Sequence, residues 1–138
     1  MQAYVDTGAL VALVAADDRY HREAEQFFRR SLVKGTRFVI GRPVLIEYLD
    51  GLTKRVSKGK ALQELRRIDA SAVMRIEDEE DEDWARAREL FERYDDQPID
   101  MTDSISFAIM ERLDLRQVFG FDRDFDVHGF TRVPETKA

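Results

Sequence analysis

The sequence contains no cysteine and only two histidines, His21 and His128, among its 138 residues. The absence of cysteine excludes disulfide bonds and thiolate metal sites. The two histidines are far apart in the sequence, so they form no zinc motif, and we expect both on the surface. Any metal site in this chain is therefore expected to use oxygen ligands.

Long apolar runs are also absent, and no segment approaches the roughly 20 apolar residues that a membrane-spanning helix needs. The chain does not open with a basic and then apolar secretion signal. These absences predict a soluble, cytoplasmic protein without a membrane partner. The length predicts a single domain over residues 1–138. The net charge of -6 disfavours nonspecific DNA coating, although local basic patches can act independently of the total.

Short β-branched or aromatic runs alternate along the chain with longer segments of helical period. The runs predict five strands, at residues 3–6, 37–40, 72–76, 118–121 and 131–133. Apolar positions at helical spacing predict three amphipathic helices, around residues 20–32, 45–52 and 84–94. This alternation predicts an α/β fold with a mostly parallel sheet and helices on both faces.

A nearly continuous apolar segment follows Asp103 and predicts the most buried helix of the domain. We expect Thr102 to be its N-cap, and an acid in a first helical turn needs no functional explanation. Two further aspartates change this interpretation, because Asp6 closes the first predicted strand and Asp122 closes the fourth. The carboxyl ends of parallel strands form one edge of a sheet, where α/β proteins bind ligands.

Carboxylates gathered at one partly buried edge repel each other, and no lysine or arginine adjoins Asp6 or Asp103 in the sequence. A divalent cation would compensate them. Because thiolates and paired histidines are missing, an all-oxygen site for Mg²⁺ or Mn²⁺ fits better than zinc. Such a site indicates hydrolysis of a phosphodiester bond.

Four motifs resemble those of the PIN-domain nucleases, in the same order and over nearly the whole chain. They are YVDTGALVAL, RPVLIEYLDGL, MTDSISFAIM and FGFDRDFDVHGF. The resemblance implies a parallel sheet of order 3-2-1-4-5. It also implies a metal-binding and catalytic quartet of acids with two hydroxyls beside them, namely Asp6, Glu47, Asp103 and Asp122 with Thr7 and Thr102.

The resemblance further implies a metal-dependent ribonuclease, and small members of this family are commonly the toxin of VapBC-type toxin-antitoxin pairs. An RNA substrate, an antitoxin partner and a homodimer are the corresponding expectations. Two assignments stay open. Glu47 lies opposite the apolar stripe of its helix, where a solvated glutamate would also lie, and Asp124 and Asp126 are alternatives or additions to Asp122.

Charged segments outside these motifs have competing interpretations. Seven consecutive acids at residues 77–83 precede a predicted helix, where acids are favoured, and we interpret them as a helix start rather than as a docking surface for a basic partner. Residues 54–67 hold six basic residues against one acid, and they are either a solvated helix pair or an electrostatic track for an RNA backbone. The candidate RNA-binding residues are Lys54, Arg55, Lys58, Lys60, Arg66 and Arg67.

Two other functions are weighed against the nuclease. A domain of the same fold can be a binding module without catalysis, which an incomplete set of acids would favour. The Asp-Thr-Gly sequence at residues 6–8 also resembles the signature of aspartic proteases. That fold is all-β, and the helical patterning of this chain argues against it.

Overall fold

A computed structural model describes residues 1–135 of the chain, so residues 136–138 of the predicted domain lie outside the described part. Its sheet has five strands in the order β3-β2-β1-β4-β5, and every neighbouring pair is parallel. The strands are β1 Gln2–Val5, β2 Arg37–Gly41, β3 Met74–Glu77, β4 Gln117–Phe119 and β5 Thr131–Val133. The helices are α1 Thr7–Val14, α2 His21–Lys34, α3 Arg42–Arg55, α4 Lys58–Asp69, α5 Asp81–Arg93, α6 Met101–Arg112 and α7 Asp124–Val127.

The predicted α/β fold and the strand order 3-2-1-4-5 are confirmed. All five predicted strands are present with shifted ends, except β5, which has the predicted bounds. The sheet is parallel throughout residues 1–135, beyond the mostly parallel sheet that we predicted. A parallel α/β sheet is incompatible with an all-β aspartic protease, so the Asp-Thr-Gly sequence belongs instead to the end of β1 and the start of α1.

The central strand β1 is apolar on both faces because helices cover the sheet on both sides. Its residues Ala3, Tyr4 and Val5 are fully buried. Helix α6 has six buried residues, more than any other helix of the described chain, as its sequence predicts. The Tyr4 hydroxyl donates a 2.8 Å hydrogen bond to Ser106 Oγ, which connects β1 to α6 inside the core.

The acidic run at residues 77–83 begins α5, as predicted. Glu80 is the N-cap, and it forms a capping box with Asp83, whose side chain accepts a 2.8 Å bond from the Glu80 N–H. Asp83 is only 2% exposed and also pairs with Arg112 at 3.0 Å. Arg112 lies within 3.3 Å of Glu77 as well. Arg112 therefore neutralises part of the run within the fold.

His128 is half-buried, and only 9% of its side chain is exposed, which differs from the expected surface position. Its ring stacks on Phe107, with centroids 5.1 Å apart and planes at 4°. Its nitrogens contact the Tyr94 hydroxyl at 2.6 Å and Glu111 at 3.0 Å. These partners come from α6 and from the residue after α5, so long-range packing decides the burial of this histidine. Within residues 1–135, no helix is long and apolar enough to span a bilayer.

Candidate metal centre

The carboxyl ends of β1 and β4 bring two candidate acids to one edge of the sheet. Asp6 follows β1 directly, and its N–H donates a 2.9 Å bond to the carbonyl of Phe119, the last residue of β4. Gly120 follows β4, and a Cβ added there would lie 3.0 Å from Asp6 Cβ. Asp122 comes two residues later. The strand ends thus approach closely because position 120 has no side chain.

The first turn of α6 supplies the next acids. The N-cap is Asp100, whose Oδ1 accepts a 2.8 Å hydrogen bond from the Asp103 N–H. The predicted N-cap Thr102 is wrong, because α6 begins at Met101 and places Thr102 within the first turn, half-buried. Asp100 was not among the predicted site residues. The sequence signal for Asp100 was its position three residues before another acid, Asp103, at the start of a helix.

Three carboxylates form the tightest acidic group, since each offers an oxygen within 4.8 Å of the others. The group consists of Asp103, Asp122 and Asp124. Asp122 Oδ1 also accepts a 2.9 Å bond from the Asp124 N–H, which fixes the turn between β4 and α7. Asp126 pairs instead with Arg132, from which its carboxylate accepts hydrogen bonds of 2.9 and 3.0 Å.

Burial and mutual repulsion make these acids hold protons more tightly than usual. Burial, followed by repulsion from Asp122, Glu47 and Asp100, raises the pKa of Asp6 to about 7. The backbone N–H of Thr7 acts in the opposite direction and lowers this pKa. Burial, then repulsion from Asp100, Asp6 and Asp122, raises the pKa of Asp103 to about 8. Burial and Asp122 also raise the pKa of Asp124. The edge is therefore a site of uncompensated negative charge.

Glu47 and the two hydroxyls occupy different environments. Glu47 is exposed on α3, yet its charge contributes to the raised pKa of Asp6, so it lies beside the cluster. Thr7 Oγ1 is buried and has no hydrogen-bond partner within residues 1–135. Both residues line a cleft of about 1030 Å³. A buried hydroxyl that has no hydrogen-bond partner can accept a hydrogen bond from a ligand or donate one to it.

The predicted RNA-binding residues separate into two groups. Lys54, Arg55 and Lys60 line the same cleft as Thr7 and Glu47. Lys58 and Arg66 are exposed and do not line it.

Arg67 pairs with an acid of its own helix, although the sequence suggested a role in RNA binding. Its guanidinium donates two bonds, of 3.0 and 2.8 Å, to the carboxylate of Glu64. Glu64 is 2% exposed and also accepts a 2.7 Å bond from the Tyr48 hydroxyl. Arg67 therefore contributes to the packing of α4 on α3.

The donor set suits a hard divalent cation. All the clustered side chains offer carboxylate oxygens, which Mg²⁺ and Mn²⁺ prefer. Six carboxylates lie in or beside the cluster, namely those of Asp6, Glu47, Asp100, Asp103, Asp122 and Asp124. None of them forms an ion pair with a lysine or arginine of residues 1–135. The local charge thus lacks a compensating cation from the described chain.

Comparison with known proteins assigns the fold to a family. The PIN domain matches residues 3–130. The chain is 28% identical over 136 residues to the 23S rRNA-specific endonuclease VapC20 of Mycobacterium tuberculosis, covering 94% of this chain and 96% of that one. The crystal structure of VapC20, a Sarcin-Ricin loop cleaving toxin, is similar with a TM-score of 0.83, at 26% identity and with coverage of 94% and 96%.

A toxin-antitoxin complex from Klebsiella pneumoniae shares the fold, with a TM-score of 0.67 at 17% identity over 99% of each chain. VapBC-1 of nontypeable Haemophilus influenzae also shares it, with a TM-score of 0.70 at 9% identity over 96% of each chain. The family match spans all the clustered carboxylates and most of the chain. This chain therefore belongs to the PIN-domain family, as its four sequence motifs predict.

Proposed function

We propose that this protein is a divalent-metal-dependent endoribonuclease. The observation that carries the proposal is the cluster of uncompensated carboxylates at the carboxyl edge of the sheet. Asp103, Asp122 and Asp124 bring oxygens within 4.8 Å of one another, and Asp6 lies beside them. Membership of the PIN-domain family and the likeness to an rRNA endonuclease over nearly the whole chain support an RNA substrate.

We assign the metal ligands to the four acids of the PIN-like quartet and to one neighbour, Asp124. Asp6, Asp103 and Asp122 would form the centre of the site, with Glu47 at its cleft side. A bound Mg²⁺ or Mn²⁺ would supply an activated water and stabilise charge on the phosphodiester oxygens. Because the carboxylates must be ionised to bind it, metal binding opposes the raised pKa values of Asp6 and Asp103.

Other side chains would hold the RNA rather than the metal. Lys54, Arg55 and Lys60 line the cleft beside Glu47 and offer positive charge to the phosphates. Thr7 Oγ1, which has no hydrogen-bond partner within the described residues, would donate to a phosphate oxygen or a water. Thr102 remains a candidate hydroxyl in the first turn of α6. The positive charges of Lys54, Arg55 and Lys60 would offset the repulsion that the acidic site exerts on RNA.

We propose further that the nuclease is the toxin of a toxin-antitoxin pair that acts in the cytoplasm. The likeness to the VapC20 toxin supports this role. An antitoxin is the corresponding protein partner, and toxin-antitoxin complexes occur among the proteins of the same fold. A homodimer remains a prediction from the family resemblance. Ribosomal RNA is the first substrate to test, because it is the substrate of VapC20.

The proposal is tested with purified protein on single-stranded RNA, single-stranded DNA of the same sequence, and intact ribosomes. We expect RNA cleavage with Mg²⁺ or Mn²⁺, loss of cleavage in EDTA, and its return when excess Mg²⁺ is added. Cleavage that persists in excess EDTA would contradict the metal mechanism. Tight RNA binding without cleavage at any metal concentration would favour the alternative, a PIN-like binding module.

A further inference from the structure

An aromatic stack begins one residue before the candidate metal ligand Asp122. The rings of Phe121 and Tyr20 are parallel, with centroids 4.2 Å apart and planes at 2°. The guanidinium carbon of Arg19 lies over the Tyr20 ring, 4.8 Å from its centroid. The order is therefore Phe121, Tyr20 and Arg19, starting from the residue next to Asp122 in the sequence.

Several contacts hold the two rings in place. The Tyr20 N–H donates a 2.9 Å bond to Asp18 Oδ1 where α2 begins. His21 Nδ1 lies 2.7 Å from the carbonyl oxygen of Ala12, which ties the start of α2 to α1. Arg132 donates a 3.2 Å bond to the carbonyl of Phe121. The stack is thus built on fixed backbone, and only its outer member, Arg19, is exposed.

Arg19 differs from the arginines that serve the fold. Arg42, Arg86 and Arg112 each form ion pairs with carboxylates. Within residues 1–135, the Arg19 guanidinium has no hydrogen-bond or ion-pair partner, and its contact is the Tyr20 ring. One side of the guanidinium is therefore covered by an aromatic ring while its donors and its outer side remain available.

We propose that the outer side of Arg19 stacks a nucleobase of the RNA, at a nucleotide beside the segment that reaches the carboxylates. Unstacked bases pack on arginine planes and on aromatic rings in complexes with single-stranded RNA. A cation at this place also opposes the repulsion of the nearby acids. This inference rests on the proposed ribonuclease function, and it adds a base-binding subsite to the proposed metal site.

The test is single-turnover cleavage, in Mg²⁺, of an RNA that the wild type cuts, measured against protein concentration. Arg19→Gln is expected to raise the half-saturating concentration about tenfold with little change in the maximal rate. Arg22→Gln is the matched control, because Arg22 is exposed in the first turn of α2, three residues after Arg19 and outside the stack, and the substitution removes the same charge. We expect less than a twofold change for it.

Two further comparisons separate stacking from simple charge attraction. Arg19→Lys keeps the charge but loses the planar group, and it is expected to behave like Arg19→Gln. A series of RNAs, each with one abasic nucleotide at a different position within three nucleotides of the cleaved bond, identifies the base that stacks on Arg19. At one position, loss of the base should weaken the wild type about tenfold and leave Arg19→Gln nearly unchanged.

Each outcome decides the inference. Equal half-saturation for Arg19→Gln and Arg22→Gln overturns it, as does wild-type behaviour of Arg19→Lys, which would indicate a phosphate contact. Equal abasic losses in the wild type and Arg19→Gln also overturn it. In these cases the wild type still cuts RNA, so the proposed function stands. Failure of the wild type to cut any RNA removes both the function and the subsite.

Discussion

Neutralising Asp6 is expected to stabilise the metal-free protein, although it removes a candidate metal ligand. Asp6 is 8% exposed, and burial with repulsion from three neighbouring acids raises its pKa from 3.8 to about 7. A tenfold change in an ionisation constant corresponds to about 1.4 kcal/mol, so ionising Asp6 in the folded state costs at most about 4 kcal/mol above pH 7. Asn keeps a buried polar group and an acceptor for the Thr7 N–H. We therefore expect Asp6→Asn to raise the unfolding free energy by about 1–2 kcal/mol.

The effect has a definite pH dependence. The folded-state pKa of Asp6 is raised, so between about pH 4 and pH 7 the folded protein holds a proton that the unfolded chain has released. The unfolding free energy of the metal-free wild type therefore falls as pH rises through this window, and Asp103 extends the fall to about pH 8. The stabilisation by Asp6→Asn should be present at pH 8 and nearly absent at pH 5.

The assay is thermal unfolding in EDTA at pH 5 and pH 8, repeated at pH 8 with Mg²⁺. A gain of 1–2 kcal/mol raises the melting temperature by about 3–7 °C in a domain of this size. Mg²⁺ should stabilise the wild type by mass action and Asp6→Asn much less. Asp69→Asn is the control, because Asp69 is exposed and ends α4, which leads to the opposite edge of the sheet. A lower melting temperature in EDTA together with an intact Mg²⁺ response would make Asp6 a structural residue.

Three further changes test other parts of the site. Lys54→Gln with Lys60→Gln should reduce the slope of log binding constant against log salt for single-stranded RNA by roughly 1.4, while Lys58→Gln, outside the cleft, leaves it unchanged. Glu64→Leu should lower the unfolding free energy by about 2 kcal/mol in urea titrations, because it leaves the buried Tyr48 hydroxyl without its acceptor and removes both bonds from Arg67; no loss would refute the pairing. Gly120→Ala should raise the Mg²⁺ concentration for half-maximal cleavage several-fold without abolishing folding, and an unchanged Mg²⁺ dependence would show that the close approach of the strand ends is dispensable.

The fold was largely predictable because its signals are local. Short apolar runs between helical segments specify a parallel sheet, and the resemblance adds the strand order. Helix α1 was missed, since Thr7–Val14 is apolar on nearly all sides and has no polar face to reveal its period. The start of α6 was misplaced because Asp100 and Thr102 can both cap a helix, and only the bond from Asp103 N–H to Asp100 distinguishes them.

The site was predictable to the level of strand ends and motifs. Asp6 and Asp122 were predicted because parallel strand ends meet at one edge, and Asp103 because it starts the buried helix. Asp124 was left as an alternative or addition to Asp122, and the turn into α7 brings it close to both Asp103 and Asp122. The role of Arg67 could have been inferred, because Glu64 lies three residues before it on one helix. The burial of His128 could not, because its partners Tyr94 and Glu111 are 34 and 17 residues away in the sequence.

The central claim is that the carboxylate cluster is the catalytic metal centre. Its most direct test is the single-turnover rate of RNA cleavage in saturating Mg²⁺ for the wild type, Asp103→Asn and Asp69→Asn. Both variants lose one aspartate charge, but only the first lies within 4.8 Å of Asp122 and Asp124. We predict that Asp103→Asn, while folded, is slower by more than about 10²-fold and that Asp69→Asn matches the wild type. Equal rates for Asp103→Asn and the wild type would contradict the account.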